Sequence, residues 1–206
     1  ESIQLMVIEI KQENVNSFLT WQSLEYTDYY AMRMFGKPIY NQKVKLDKGI
    51  ADADGWRVYG IDLSKQIARN PGSIYHVSME FTPEDVSLAC KDELIKRDIQ
   101  SKLPDEEFYT RWENYYRDYY YYDDFNWEET ENPCNISFYA NRAPVNRTLI
   151  CSDFGVIAKQ AGNGYHIAIT KLQDLSNVGD ANITLYDLQG ATLATGKTSA
   201  EGFAEM

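Results

Sequence analysis

The chain holds two histidines, His76 and His166, and three cysteines. Nucleophilic catalysis needs a Ser or Cys held against a base, so these two imidazoles are the first candidates to weigh. In "SIYHVSMEF", Tyr75, Val77, Met79 and Phe81 fall on one face of a period-two pattern, and His76, Ser78 and Glu80 fall on the other. In "GYHIAITKL", Tyr165, Ile167 and Ile169 likewise alternate with His166, Ala168 and Thr170. Alternation predicts a solvent face for each histidine, which is the ordinary place of a strand histidine and a poor one for a base. No GxSxG, GxGxxG, P-loop or HExxH pattern is present. "DADG" (Asp52, Asp54, Gly55) echoes the opening of a calcium loop but lacks the later spaced ligands and distal Glu, so it reads as a turn. Asp123 and Asp124 form an acidic pair whose default is a solvated face. The expectation is a non-enzymatic chain with no cofactor and no metal site.

The stretch "YYRDYYYYDDFNW", residues 115–127, crowds aromatic rings among aspartates. Rings exposed on one rigid face could stack on sugars, and Trp112, Tyr116, Tyr119 and Trp127 are the residues that would form such an interaction surface. The competing reading is packing. "DELIKRDIQSKL" sets Ile95, Ile99 and Leu103 at four-residue steps, and "DEEFYTRWENYYRDYY" repeats this with Phe108, Trp112, Tyr115 or Tyr116, and Tyr119. Helical spacing of that kind favours a buried stripe against the preceding unit.

Those elements lie inside a strand-rich chain. Residues 1 to about 89 read as short strands between turns: "SIQLMVIEI", "SFLTWQSL", "YYAMRMF", "YNQKVKLD", "WRVYGIDL" and "SIYHVSMEF", with "GKP", "ADADG" and "NPGS" supplying turn residues. Between Lys91 and Pro133 thirteen acidic residues face six basic ones, and this stretch carries most of the chain's net charge of −11. From Asn146, strands return as "RTLICSDFGVIAKQ", "GYHIAITKL", "ANITLYDL", "ATLATGKT" and "GFAEM". These divisions predict a β-sandwich over 1–90, an acidic Tyr-rich helical insertion over 91–133, a linker over 134–145 and a second, truncated β-sandwich over 146–206. Both ends look cut from a longer polypeptide, since the chain starts and stops inside strand-like sequence. The net charge and a pI near 4.6 repel phosphate backbones and anionic lipid, which argues against nucleic acid as a partner. The longest apolar runs fall far short of the roughly 20 residues of a spanning helix, so no membrane insertion is expected from this segment.

Two stretches carry a resemblance. Ser152, Asp153, Gly155, Ala158 and Lys159 match a "SDxGxxAK" strand, and Leu185, Tyr186, Asp187, Gln189, Gly190, Gly196, Thr198 and Gly202 match the hairpin and closing strand that follow it in macroglobulin-type domains. "WRVYGIDLSKQIARNPGSIYHVSMEF" resembles the end of a preceding domain of the same type. Over these stretches the chain resembles large bacterial alpha-2-macroglobulin-like proteins. "SNVGDANI" departs from the Lys-Pro turn common in that family.

The resemblance implies tandem macroglobulin-type, immunoglobulin-like antiparallel β-sandwiches with a helical insertion. It also implies a periplasmic or extracellular parent protein that entraps proteases by a bait segment and, in many members, a Cys-x-Glu-Gln thioester. The cysteines here stand in "CKDE", "CNIS" and "CSDF", so this chain would be non-catalytic scaffold. Its partners would be the other domains of the parent chain and, through the parent, a target protease. The rival is a cell-surface carbohydrate-binding or adhesive β-sandwich module using the four aromatics named above. Cys90 ends the last strand of the first unit and Cys134 ends the insertion. A disulfide between them would tie the two feet of the excursion, in keeping with an oxidising compartment, and leave Cys151 free.

Overall fold

The computed structural model describes residues 1–21, 29–46, 49–51, 56–81, 85, 90, 126–140 and 144–206. The architecture is mainly antiparallel β. Strands β1 (Ser2–Ile10), β2 (Gly36–Lys45), β5 (Ile74–Glu80) and β6 (Val145–Ile150) form a sheet in the order β2-β1-β5-β6. A two-stranded hairpin, β3 (Ile50–Ala51) with β4 (Arg57–Val58), lies between β2 and β5 in sequence. Beyond the first sheet, β7 (Phe154–Ala161), β8 (Gly164–Lys171) and β11 (Phe203–Glu205) form a second sheet in the order β11-β8-β7, and β9 (Asn182–Tyr186) pairs with β10 (Thr192–Lys197).

Central strands β1 and β5 are buried on both faces, which is why "IQLMVIEI" reads as a nearly continuous apolar run. On one face Leu5 and Val7 pack with Tyr75 and Val77, covered by Ile61, Leu63 and Ile67 of the preceding loop. On the other, Ile8, Ile10 and Ile74 pack with Phe18, Ala31 and Met32. These last three come from helices α1 (Val15–Trp21) and α2 (Tyr29–Phe35). The sequence reading takes "SFLTWQSL" and "YYAMRMF" as strands, and the structure corrects both. At seven residues each, neither helix is long enough to hold by propensity alone. The sheet offers an apolar face that Phe18 and Met32 fill completely, and that burial selects helix over strand.

The turn from α2 into β2 is fixed sterically. A side chain at Gly36 would place its Cβ 2.5 Å from Ile8 Cγ2 and 2.7 Å from the Met32 carbonyl oxygen, so only glycine lets the strand leave the helix so close to the sheet. Asn14 Nδ2 donates to the Phe35 carbonyl at 3.2 Å, tying the start of α1 to the end of α2. Pro38 is tolerated because β2 is an outer strand and the pairing shifts register at this point, opposite Val7 and Ile8.

Residues 145–150 belong to the first sheet. β6 pairs with β5 from Ile74↔Ile150 to Met79↔Val145, so the break between the sheets falls after Ile150, not at Asn146. The single strand expected over "RTLICSDFGVIAKQ" is two strands in two sheets. Residues 134–145, expected as a linker, contain helix α3 (Ile136–Ala140).

In the second unit Ile167, Ile169 and Ala204 are buried, whereas Phe154, Val156 and Ile157 of β7 and Phe203 of β11 are exposed. Thr198 is the polar centre. Its hydroxyl donates to the Val178 carbonyl at 2.6 Å and accepts from the Ala181 amide at 2.9 Å, closing the loop into β9 against the end of β10. Gly202 has φ +77°, and its carbonyl accepts from the Ile169 amide at 2.9 Å. A Cβ there would meet the Ile169 oxygen at 2.7 Å.

Because Phe18 is the fully buried anchor of α1, Phe18→Ala should cost about 3–5 kcal/mol of unfolding free energy by urea denaturation, whereas the exposed Leu19→Ala should change it by under about 1 kcal/mol.

Candidate functional site

His76 does not lie on a solvent face. It is fully buried on the helix-covered side of the sheet, opposite Ile8 in the ladder. Alternation along β5 is correct, but both faces of a central strand are covered here, and a period-two pattern cannot see the second cover. Burial lowers the imidazole to about 4, with the Asn146 side chain opposing the shift. His76 is thus a neutral core residue near pH 7. His166 is on the surface, as expected, with Nδ1 3.4 Å from Glu205 Oε1. Asp52, Asp54, Asp123 and Asp124 lie outside the described residues. Among the described residues no group of three or more His, Cys, Asp or Glu side chains is placed to hold a metal ion. An open cavity of roughly 580 Å³ is lined by Glu1, Leu46, Trp56, Arg57 and Tyr59, which brings a carboxylate, a guanidinium and a phenol to one surface.

Of the aromatic surface, Trp112, Tyr116 and Tyr119 lie outside the described residues, as do Phe108 and Tyr115. Trp127 is 74% exposed on a 3₁₀ turn, Trp127–Glu129, capped by Asn126 Oδ1 accepting from the Glu128 amide at 3.0 Å.

The feet of the excursion are built in detail. Cys90 and Cys134 are bonded, with Cα atoms 5.6 Å apart, and Cys151 is free. Asn135 Oδ1 accepts from the Ser137 amide at 2.9 Å and so caps α3. Ser137 is fully buried, and its hydroxyl accepts from the Asn126 amide at 2.9 Å. Tyr139 packs edge-on against Phe81, the residue after β5, while its hydroxyl donates to the Pro133 carbonyl at 2.9 Å. Asp85 adds an ionic anchor. Its carboxylate is buried, accepts from Ser2 Oγ at 2.6 Å and pairs with Lys43 Nζ at 2.6 Å, fastening the start of the excursion to β1 and β2.

Sequence reasoning missed a second cluster, at the break between the sheets. Glu9 is buried, and its Oε1 accepts from Asn70 Nδ2 at 2.7 Å and Ser73 Oγ at 2.9 Å. The Tyr75 hydroxyl accepts from the Asn70 amide at 2.9 Å and donates to the Ala68 carbonyl at 3.1 Å. The loop so held presents Arg69, whose Nε donates to Cys151 Sγ at 3.2 Å and whose Nη2 pairs with Asp153 Oδ1. Cys151, then Asp153, hold the guanidinium above its ordinary value. A glutamate inside an apolar strand was the available signal, since a buried carboxylate must be hydrogen-bonded to persist. No sequence spacing connects it to Asn70 and Ser73.

Comparison with known proteins agrees with the resemblance. Residues 151–206 match the family model of the bacterial alpha-2-macroglobulin MG3 domain. No match is found among the curated proteins. Three solved structures from Escherichia coli are similar over the whole of this chain. One is native alpha-2-macroglobulin spanning domains MG0-NIE-MG1, at 16% identity and TM-score 0.49, of which the chain covers 47%. Another is native alpha-2-macroglobulin spanning domains NIE-MG1, at 14% and 0.50, of which it covers 73%. The third is trypsin-activated alpha-2-macroglobulin, at 14% and 0.52, of which it covers 10%. At these identities the structures with TM-scores of 0.50 and 0.52 establish likeness of fold, mainly β with antiparallel sheets. The sequence match adds that residues 151–206 are similar to the bacterial alpha-2-macroglobulin MG3 domain.

Two outcomes follow from this geometry. His76 binds its proton less readily folded than unfolded, so stability should fall as pH drops through the window from 6.5 to about 4. Urea titrations at pH 7 and pH 4.5 should show a loss about 2 kcal/mol larger in the native chain than in His76→Gln. The Cys90–Cys134 bond closes a loop with sequence separation 44, and the double Ser variant should lose about 4 kcal/mol on the chain-entropy model. Non-reducing peptide mapping should find the native Cys151 alkylated and the other two linked.

Proposed function

We propose that this chain is a non-catalytic scaffold segment of a bacterial alpha-2-macroglobulin-like protease inhibitor, in which entrapment of the protease belongs to the parent protein. The observation that carries the reading is the match of residues 151–206 to a bacterial macroglobulin domain. The build of the first unit supports it. Its polar chemistry is spent on fastening loops: Glu9 on Asn70 and Ser73, Asp85 on Ser2 and Lys43, Ser137 on Asn126. Groups committed in this way hold geometry and do not turn over substrate. A scaffold in such an inhibitor must hold its domains at defined angles so that cleavage elsewhere is passed on as rigid-body movement. The disulfide accords with a periplasmic or extracellular parent. The domain limits we propose are 1–151 for the first unit with its excursion at 91–133, and 152–206 for the second.

Exposed Trp127 favours a second reading, in which the rim of the excursion binds carbohydrate at a cell surface. The two readings separate cleanly. Under the scaffold reading, the 206-residue chain neither hydrolyses peptides nor slows a protease, the parent protein shields a protease from protein substrates, and deleting residues 1–206 from the parent weakens that shielding. Inhibition by the isolated chain, or no shielding by the parent, would sink the proposal. Glycan binding abolished by Trp127→Ala would establish the second reading.

A further inference from the structure

The two sheets are joined through Cys151, Ser152 and Asp153. Cys151 belongs to the first: its amide donates to the Ser73 carbonyl at 3.0 Å and its carbonyl accepts from the Gly72 amide at 2.9 Å, one rung beyond Ile74↔Ile150. Asp153 belongs to the second: its carbonyl accepts from the Leu172 amide at 2.8 Å, next to the Phe154↔Lys171 rung. Ser152 alone intervenes, its hydroxyl accepting from the Phe154 amide at 3.0 Å. Rotation about this residue would swing one unit against the other.

We propose that Arg69 is a clamp on this elbow, one guanidinium holding the last rung of the first sheet through Cys151 Sγ and the first rung of the second through Asp153. Three facts carry the assignment. A planar guanidinium can donate in two directions at once, and here Nε and Nη2 do so to residues two apart on opposite sides of the break. The loop that supplies Arg69 is itself bolted to the core by Glu9 and Tyr75, so the clamp has a rigid base. Cys151 packs against the core cluster of Leu5, Val7, Tyr75 and Val77, so its sulfur is a fixed point.

The test uses the 206-residue chain carrying a donor and acceptor dye on non-natural residues at Gln42 of β2 and Lys159 of β7, both exposed. Single-molecule energy transfer should give a broader distance distribution in Arg69→Ala than in the native chain. Amide exchange at Cys151 should speed up about fivefold, the upper end for loss of an exposed ion pair, with no change at Val7 or Val77. Asp153→Ala should broaden the distribution as well, and Arg69→Ala/Asp153→Ala no further than Arg69→Ala. Unchanged distributions would overturn the clamp. So would exchange that quickens equally at Cys151, Val7 and Val77, because Arg69 would then support overall stability and not the elbow.

Discussion

A carboxylate buried in an apolar strand is the constraint on which this first unit turns. Glu9 sits between Ile8 and Ile10 on a strand covered on both sides, and desolvating a charge there costs several kcal/mol unless partners replace the lost water. Asn70 and Ser73 replace it. Satisfying Glu9 therefore fixes the loop before β5, and that loop fixes everything it touches: Tyr75 through Asn70 and Ala68, Cys151 through Gly72 and Ser73, and Asp153 through Arg69. The junction between the sheets inherits its order from a residue in the first strand of the chain.

The excursion after β5 is held by the same logic with different chemistry. A charged, aromatic-rich insertion gains little from its own sequence to hold its ends in place. The ends are fastened by a covalent bond at Cys90–Cys134, by the ion pair of the buried Asp85 with the part-exposed Lys43 and by the edge-on packing of Tyr139 on Phe81. Each device belongs to a different class of interaction, so no single change of salt, pH or redox state releases all of them.

The two units are built to different degrees of closure. The first buries β1 and β5 between a helix pair and a loop, with an apolar cluster on each face of the sheet. The second buries Ile167, Ile169 and Ala204 but leaves Phe154, Val156, Ile157 and Phe203 exposed. It is ordered chiefly by backbone pairing, by the Thr198 hydroxyl and by the close approach at Gly202.

Strand composition and turn residues were enough to read a mainly β chain, because period-two alternation and turn chemistry are local properties of the chain, and the "SDxGxxAK" and "LYDxQG" stretches carried the resemblance to macroglobulin-type domains. The tie between Cys90 and Cys134 was legible for a similar reason: two cysteines at the feet of one excursion have few other places to go. Three features were decided only in three dimensions. α1 and α2 are helices because an apolar sheet face offers Phe18 and Met32 full burial, a gain that outweighs strand-like composition. His76 is a core residue because the face that alternation assigns to water is itself covered in the folded chain. β6 joins the first sheet because its register with β5 continues unbroken to Ile150 and one rung further to Cys151. In each case the deciding energy comes from residues distant in sequence, and a local pattern carries no record of which distant surface it will meet.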